Sequence, residues 1–196
     1  YYMGNLQPKE EYSMAAVIGL DSSKIERVCE EFRENGKFIV PANYNCSVQT
    51  VISGESSAID EAVGKLGEIG AKRAVKLKTS GPFHTIKLEK AKQEYKKELE
   101  KIEFNKGKVK VIKNIDGTFY NENDNICEIL ANHIISPVRF DKTIELMNKE
   151  KVDEYIEIGP GKTLTTFIKK DNKLAKTFNI STVADLEKYI EYEESI

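Results

Sequence analysis

The sequence lacks the features of several protein classes. Among its 196 residues no apolar run is long enough to span a membrane, and only three cysteines occur, Cys29, Cys46 and Cys127. An odd number of cysteines without paired metal spacing argues against both a disulfide scaffold and a zinc site. The chain also lacks an initiating methionine and a signal or transit peptide, since it opens on Tyr1. We therefore expect the interior of a longer cytoplasmic protein.

The composition is that of an ordinary globular protein, but its charge is unevenly distributed. Apolar residues make up 40% and charged residues 32% of the chain, and the formal net charge is −2. The segment 71–98 nevertheless holds nine basic and three acidic residues, a balance that attracts an anionic partner. Nucleic acid is not the expected partner, because no aromatic residues alternate with these charges as stacking platforms.

Only two histidines occur, and one of them lies in a predicted loop. His84 follows Gly81-Pro82-Phe83, directly after a strand-like run. Catalytic side chains are often carried by loops on a rigid scaffold, and a neutral imidazole takes up a proton near pH 7. His84 is therefore the candidate general base. His133 falls on the apolar face of a predicted helix that stops before Pro137.

The part of the chain before His84 alternates short strands with two amphipathic helices. The first helix begins at Ser22 or Ser23, and the second helix ends at Gly70. The resulting order, βαββαβ, is that of a ferredoxin-like unit. The predicted strands are 14–20, 38–44, 50–53 and 74–77, and the apolar positions of the helices fall within 25–32 and 59–69.

After His84 the pattern changes to longer helices separated by strands, which is typical of a parallel α/β sheet. The sequence therefore predicts an α/β protein that contains a smaller α+β subdomain. The predicted elements are a helix over 88–102, a buried strand over 109–115, a strand over 155–158 and a final helix over 182–193.

Four short motifs occur in a fixed order along the chain: Ala71-Lys72-Arg73-Ala74, Gly81-Pro82-Phe83-His84, Ser136-Pro137-Val138-Arg139 and Glu157-Ile158-Gly159-Pro160-Gly161. In order and spacing the chain resembles the malonyl-CoA:acyl carrier protein transacylases, from about residue 1 to about residue 169. The resemblance implies a ferredoxin-like subdomain over 13–78 and the carboxy-terminal part of an α/β-hydrolase-like acyltransferase domain over 79–196. Residues 1–12 would be the remnant of a helix of that larger domain.

The resemblance also implies roles for individual residues. His84 would be the base, and the backbone carbonyl of His133 would orient it, at a position where the family usually has glutamine. A positive charge on His133 would repel protonated His84 and lower its pKa. Phe83 would favour malonyl over α-methylated malonyl groups by steric exclusion, and Asn45 would face the cleft at a polar strand end. The phosphates of coenzyme A or of phosphopantetheine would approach Lys72 and Arg73.

The expected reaction transfers malonyl from malonyl-CoA to the phosphopantetheine thiol of acyl carrier protein in fatty acid synthesis. No cofactor is expected, since coenzyme A enters as the thioester substrate. The serine nucleophile, the oxyanion-hole donors and the arginine that pairs with the malonyl carboxylate would lie in a segment upstream of Tyr1. The chain alone is therefore expected to be inactive.

Three other readings stay open at this point. A free-standing polyketide acyltransferase would carry the same motifs. Cys46 and His84 would make a thiol enzyme if they met in the fold, although no nearby basic residue lowers the pKa of the Cys46 thiol. A non-catalytic module that binds an anionic carrier or assembles with another subunit would need no nucleophile at all.

Overall fold

The computed structural model describes residues 1–6, 8, 11–79, 81–105 and 107–195. It divides into two compact units, Tyr1–Thr143 and Ile144–Ile196. The helices and strands of the first unit are α1 (Tyr2–Asn5), β1 (Tyr12–Ile18), α2 (Ser22–Glu34), β2 (Ile39–Cys46), β3 (Gln49–Glu55), α3 (Ser56–Glu68), β4 (Arg73–Lys76), a 3₁₀-helix (Ile86–Leu88), α4 (Glu89–Leu99), α5 (Ile126–His133), β5 (Val138–Arg139) and the start of α6 (Phe140–Lys149).

A five-stranded mixed sheet organises the first unit. The strand order is β4-β1-β3-β2-β5, with antiparallel pairing throughout except between β2 and β5. The predicted βαββαβ order is observed in β1 to β4 with the two intervening helices. The parallel strand β5 was not predicted, because two residues are too few to give a period in the sequence.

Alternation along β1 gives the sheet two apolar faces. Ala15 and Val17 point into a core that α2 and α3 cover, whereas Met14 and Ala16 belong to a separate cluster on the opposite face. The core beneath the helices is the larger of the two, and most of its side chains are fully buried. Its buried members are Ala15, Val17, Leu20, Ile25, Val28, Cys29, Ile39, Ile52, Ala58, Ile59, Ala62 and Leu66.

The N-cap of helix α2 is the residue before the two serines that the sequence suggested as caps. The cap is Asp21, whose carboxylate accepts a hydrogen bond of 2.8 Å from the backbone N–H of Ser23. The serines at 22 and 23 lie inside the first turn. A carboxylate at this position also interacts favourably with the positive end of the helix dipole, which makes Asp21 the better cap.

Helices α4 and α5 pack together beside the sheet. Their shared cluster is built on Leu88, Ala91 and Ile134. Phe83 packs against this cluster and also against the sheet cluster that contains Met14 and Ala16. One aromatic side chain therefore joins the sheet to the helices at the point where the loop of His84 begins.

The predicted strand over 109–115 is wrong. Within the described part of the chain this segment forms a single antiparallel bridge, between Ile112 and Phe119. Val109 and Val111 are 76% and 49% exposed. The backbone bonds beside this bridge run from the Lys113 N–H to the Thr118 carbonyl and from the Tyr120 N–H to the Val111 carbonyl, so the segment forms a short hairpin in place of the predicted strand.

The second unit contains a two-stranded parallel sheet. Its elements after α6 are β6 (Glu154–Ile158), α7 (Thr163–Asp171), β7 (Lys176–Ile180) and α8 (Val183–Glu194). Glu157 accepts hydrogen bonds from the backbone N–H groups of Leu164 and Thr165, so it caps α7 from the preceding strand. Thr182 and Asp185 form a capping box at the start of α8. None of the helices in the described ranges has the length and apolar character needed to cross a lipid bilayer.

Gly54 is a position where the sheet tolerates no side chain. A Cβ atom there would lie 2.3 Å from the carbonyl oxygen of Phe38 and 2.8 Å from the Cα atom of Ile39. We expect Gly54→Ala to lower the free energy of unfolding by about 1 to 3 kcal/mol, because the backbone of β2 must move away. Urea unfolding of the natural protein that carries this sequence measures the change.

Gly64→Ala is the matched control, since Gly64 lies in α3 with open space around its Cα atom. Removing an interior helical glycine should raise the free energy of unfolding by about 0.5 to 1 kcal/mol. Equal effects of the two substitutions would contradict the close approach at Gly54.

Candidate active site

The loop that carries His84 is held in an unusual backbone conformation. His84 has a φ angle of 58°, in the left-handed region that few residues other than glycine adopt. The buried side chain of Thr85 fixes the turn, because its hydroxyl donates a hydrogen bond of 2.7 Å to the carbonyl oxygen of Pro82. Strained backbone of this kind costs about 1 to 3 kcal/mol and clusters at functional sites. The loop is therefore a site candidate on geometric grounds alone.

The His84 ring contacts the end of helix α5. Its Nδ1 atom lies 3.0 Å from the carbonyl oxygen of His133, the last residue of that helix. In a continuing helix this carbonyl would accept from the N–H of the fourth residue on, but that residue is Pro137, which has no N–H. The helix end therefore leaves the His133 carbonyl free for the imidazole.

This contact determines where the imidazole carries its proton. A backbone carbonyl only accepts hydrogen bonds, so the Nδ1 atom of His84 must be the donor. In a neutral imidazole the other nitrogen, Nε2, then has a lone pair that can accept a proton. The arrangement prepares His84 to act as a base.

Burial lowers the pKa of His84 below its ordinary value. Hydrogen bonds from the ring to the backbone of His133 and of Ser136 oppose this effect, since they favour the protonated form. The net result is an imidazole that is neutral at pH 7. The interaction with Ser136 was not anticipated from the sequence, although the Ser-Pro pair directly after a helix was the available signal.

The His133 side chain lies beside the His84 ring. The ring centroids are 5.1 Å apart and the ring planes are inclined by 40°. Burial, and next the positive charge of protonated His84, lower the pKa of His133 to about 4. The sequence predicts that a charge on His133 lowers the pKa of His84; instead, burial lowers the pKa of His84, and the charge of protonated His84 lowers the pKa of His133.

Lys72 and Arg73 lie at one end of the small sheet and are exposed. Arg73 pairs with Ile18 at the end of β1, and the stem of Lys72 lies against the Cα atom of Gly19. A Cβ atom on Gly19 would approach Lys72 Cγ to 2.6 Å. The absence of a side chain at Gly19 thus lets the Lys72 stem lie along the chain. No ion pair within the described ranges engages either basic group.

Asn45 lies at the same end of the sheet, in an irregular part of β2. The pairing register with β3 shifts between Tyr44 and Cys46, so Asn45 is an extra residue in its strand. Three inter-strand spacings separate β2 from the edge strand β4, which puts Asn45 about 14 Å from Arg73 along the sheet. No hydrogen bond among the described residues links Lys72, Arg73 or Asn45 to His84.

Cys46 is poorly placed to serve as a nucleophile. Its side chain is only 4% exposed, at the end of β2. Cys29 is also buried, and burial raises the pKa of its thiol to about 12. Neither thiol is exposed, as a reactive cysteine has to be. Across the described ranges, no group of three or more His, Cys, Asp or Glu side chains has the arrangement of a metal site.

The lowered pKa of His133 predicts a pH dependence of stability. Between pH 6.5 and 4 the unfolded chain binds a proton at this residue that the folded chain does not, so stability falls as the pH drops through this range. A tenfold change in proton affinity corresponds to about 1.4 kcal/mol, so lowering the pKa from 6.5 to about 4 limits the loss to about 3 kcal/mol. His133→Gln should remove this part of the loss.

Urea unfolding at pH 7 and pH 4.5, for the natural protein and the His133→Gln variant, measures the effect. Because carboxylates contribute equally to both proteins, the difference between their pH responses reports the loss at His133 together with any smaller change at His84. Identical responses would show that the pKa of His133 is not lowered by folding.

Comparison with known proteins identifies relatives. No family model matches the chain. It is 37% identical to malonyl CoA-acyl carrier protein transacylase of Staphylococcus aureus over 174 residues, which cover 89% of this chain and 56% of that protein. The crystal structure of malonyl CoA-acyl carrier protein transacylase from Clostridium perfringens matches 99% of this chain and 61% of its own, with 36% identity and a TM-score of 0.92.

A third relative is solved with a partner. It is a malonyl-transacylase in complex with a type II PKS acyl-carrier protein, 31% identical, with a TM-score of 0.90 over 97% of this chain and 62% of the relative. The chain spans less than two thirds of the length of each of these three relatives. The resemblance predicted from the sequence is confirmed: the chain is a homologue of the malonyl CoA-acyl carrier protein transacylases and spans part of their length.

Proposed function

We propose that the protein containing this chain is a cytoplasmic malonyl transferase of fatty acid synthesis, which moves malonyl from malonyl-CoA to acyl carrier protein. The chain supplies the general base, His84. The observation that carries this proposal is the 3.0 Å contact between His84 Nδ1 and the His133 carbonyl, because it leaves the Nε2 atom available as a base.

The proposed reaction proceeds through two acyl transfers. His84 Nε2 takes the proton of a serine hydroxyl while the serine oxygen attacks the malonyl thioester carbonyl; the C–S bond breaks and His84 returns the proton to the coenzyme A sulfur. In the second half, His84 takes the proton of the phosphopantetheine thiol, whose sulfur attacks the seryl ester, and the proton then passes to the serine oxygen. The chain contributes the base to both halves.

The serine itself is proposed to lie in the part of the relatives' length that this chain does not span. The second unit supports this proposal. Parallel sheets are normally buried on both faces, yet Ile156 and Ile158 of the two-stranded sheet are 41% and 80% exposed. We infer that a further segment packs here. In this arrangement 13–78 is the small subdomain, 79–196 is part of a larger α/β-hydrolase-like domain, and 1–12 is a helix remnant of that domain.

Four residues are proposed to contact substrate. Lys72 and Arg73 would meet the phosphates of coenzyme A or of the phosphopantetheine arm, and their exposure without an ion pair among the described residues supports this role. Phe83 would exclude α-methylated malonyl groups. Steric exclusion of this kind separates substrates by about 1 to 3 kcal/mol. Asn45 would face the cleft from the strand end.

A second carrier protein is a candidate acceptor of the malonyl group. Because one relative is solved in complex with a type II PKS acyl-carrier protein, a polyketide carrier is an alternative to the carrier of fatty acid synthesis. A non-catalytic carrier-binding or subunit-assembly module is the other alternative. A transfer assay separates a malonyl transferase from the non-catalytic module, and transfer to one of the two carriers but not the other separates the carriers.

The first assay mixes the natural protein with malonyl-CoA and acyl carrier protein and measures malonyl-carrier by intact mass. His84→Ala should lower kcat/KM by about 10² to 10⁴, because the serine loses its base. Lys97→Ala is the matched control, since Lys97 is an exposed partner of Glu94 on α4 and should leave the rate unchanged. Equal rates for His84→Ala and the natural protein would contradict the proposal, and the absence of transfer by the natural protein would favour the binding module.

The second assay incubates the 196-residue chain alone with malonyl-CoA. We expect no covalent adduct, because the proposed nucleophile lies outside this sequence. An adduct on the chain's own mass, lost in Cys46→Ser, would instead assign the chemistry to the thiol.

A further inference from the structure

His133 presents two different groups to the same region. Its backbone carbonyl accepts from His84 Nδ1 at 3.0 Å, and its side-chain ring packs on the His84 ring at a centroid distance of 5.1 Å. Helix α5 permits this because it ends at His133, so both the carbonyl and the last side chain face the loop. Helix termination alone explains the carbonyl contact, and packing alone explains the ring contact, but His133 makes both contacts to the same imidazole.

The His133 ring carries a polar atom that the described fold leaves unpaired. Its Nε2 atom is buried and has no hydrogen-bond partner among the described residues. Buried polar atoms are nearly always paired, because leaving one unpaired destabilises the fold. With Nε2 unpaired, the contact that the structure shows for this side chain is the packing of its ring on His84.

Burial and the neighbouring His84 keep the His133 ring uncharged. On the helices packed against it, Lys92 pairs with Glu89, and Lys96 pairs with Glu128. The Cys127 thiol contacts the carbonyl of Lys96. The charge that acts on His133 is that of His84.

We propose that the His133 imidazole is a positioning residue for His84: as an uncharged ring packed on the His84 ring, it shields the hydrogen bond between His84 Nδ1 and the His133 carbonyl from water. This inference rests on the proposed function, in which His84 is the base. One residue then both fixes the tautomer, through its carbonyl, and protects it, through its ring. Water at this bond would compete for the Nδ1 proton and would also solvate the imidazolium.

Two substitutions distinguish the effect of the flat ring of His133 from the effect of its nitrogen atoms. His133→Gln keeps the carbonyl and introduces the residue that the family usually has here, but its flexible amide solvates a charged neighbour. His133→Phe keeps a flat neutral ring without nitrogens. In the natural protein without substrate, NMR titration of the His84 C2 proton measures its pKa in each variant, and the pH profile of kcat/KM for malonyl transfer follows the same group.

We expect His133→Gln to raise the pKa of His84 by about 0.5 and to lower kcat/KM about threefold below that pKa. His133→Phe should leave both unchanged. A pKa of His84 that is unaltered in His133→Gln, or that rises as much in His133→Phe, would overturn the proposal. The unfolding midpoint of each variant is measured alongside, and the glutamine variant decides alone if the phenylalanine variant does not fold.

The titration also separates this inference from the proposed function. If the pKa of His84 responds as expected while the natural protein transfers no malonyl, the shielding by His133 holds and the proposed function fails. If malonyl transfer is present and the pKa of His84 does not respond to His133→Gln, the proposed function holds and the shielding is refuted.

Discussion

The hydrogen bond from His84 Nδ1 to the His133 carbonyl depends on several independent features of the chain. The loop places His84 in a left-handed backbone conformation, and Thr85 ties that loop to Pro82. Helix α5 must end at His133, and Pro137 supplies no N–H that would occupy the carbonyl. Beyond Pro137, strand β5 pairs with β2, which anchors the segment to the sheet. Together these features give one imidazole tautomer with Nε2 free.

The small sheet and the base are connected through packing. Phe83 lies between the sheet cluster and the α4–α5 cluster, so the loop of His84 is attached to both. The same residue is the proposed specificity determinant, which means that a substitution there acts on packing as well as on substrate choice. Lys72 and Arg73 extend the proposed site along the sheet from the opposite end of β4. The sheet therefore fixes the distance between the base and the proposed phosphate contacts.

Much of the small sheet with its two helices could be predicted from the sequence, because the apolar patterns that define these elements are local. The short apolar run that contains most of β1 and the apolar spacing in α2 identify the βαββαβ order. Features defined by distant partners could not be predicted. Strand β5 exists because β2 offers it an edge, whereas the apolar segment over 109–115 pairs only locally, through the bridge between Ile112 and Phe119. His84 was recognisable as a candidate base from its loop, but the lowered pKa of His133 depends on its burial and on its position beside His84, which the sequence does not show.

The central claim is that His84 is a neutral base whose proton resides on Nδ1. The ¹⁵N chemical shifts of the His84 ring, recorded at pH 7.5 in the natural protein, test this claim directly. We expect a protonated Nδ1 and an unprotonated Nε2, as the contact with the His133 carbonyl requires. A ring protonated on Nε2, or averaged between the two tautomers, would contradict it.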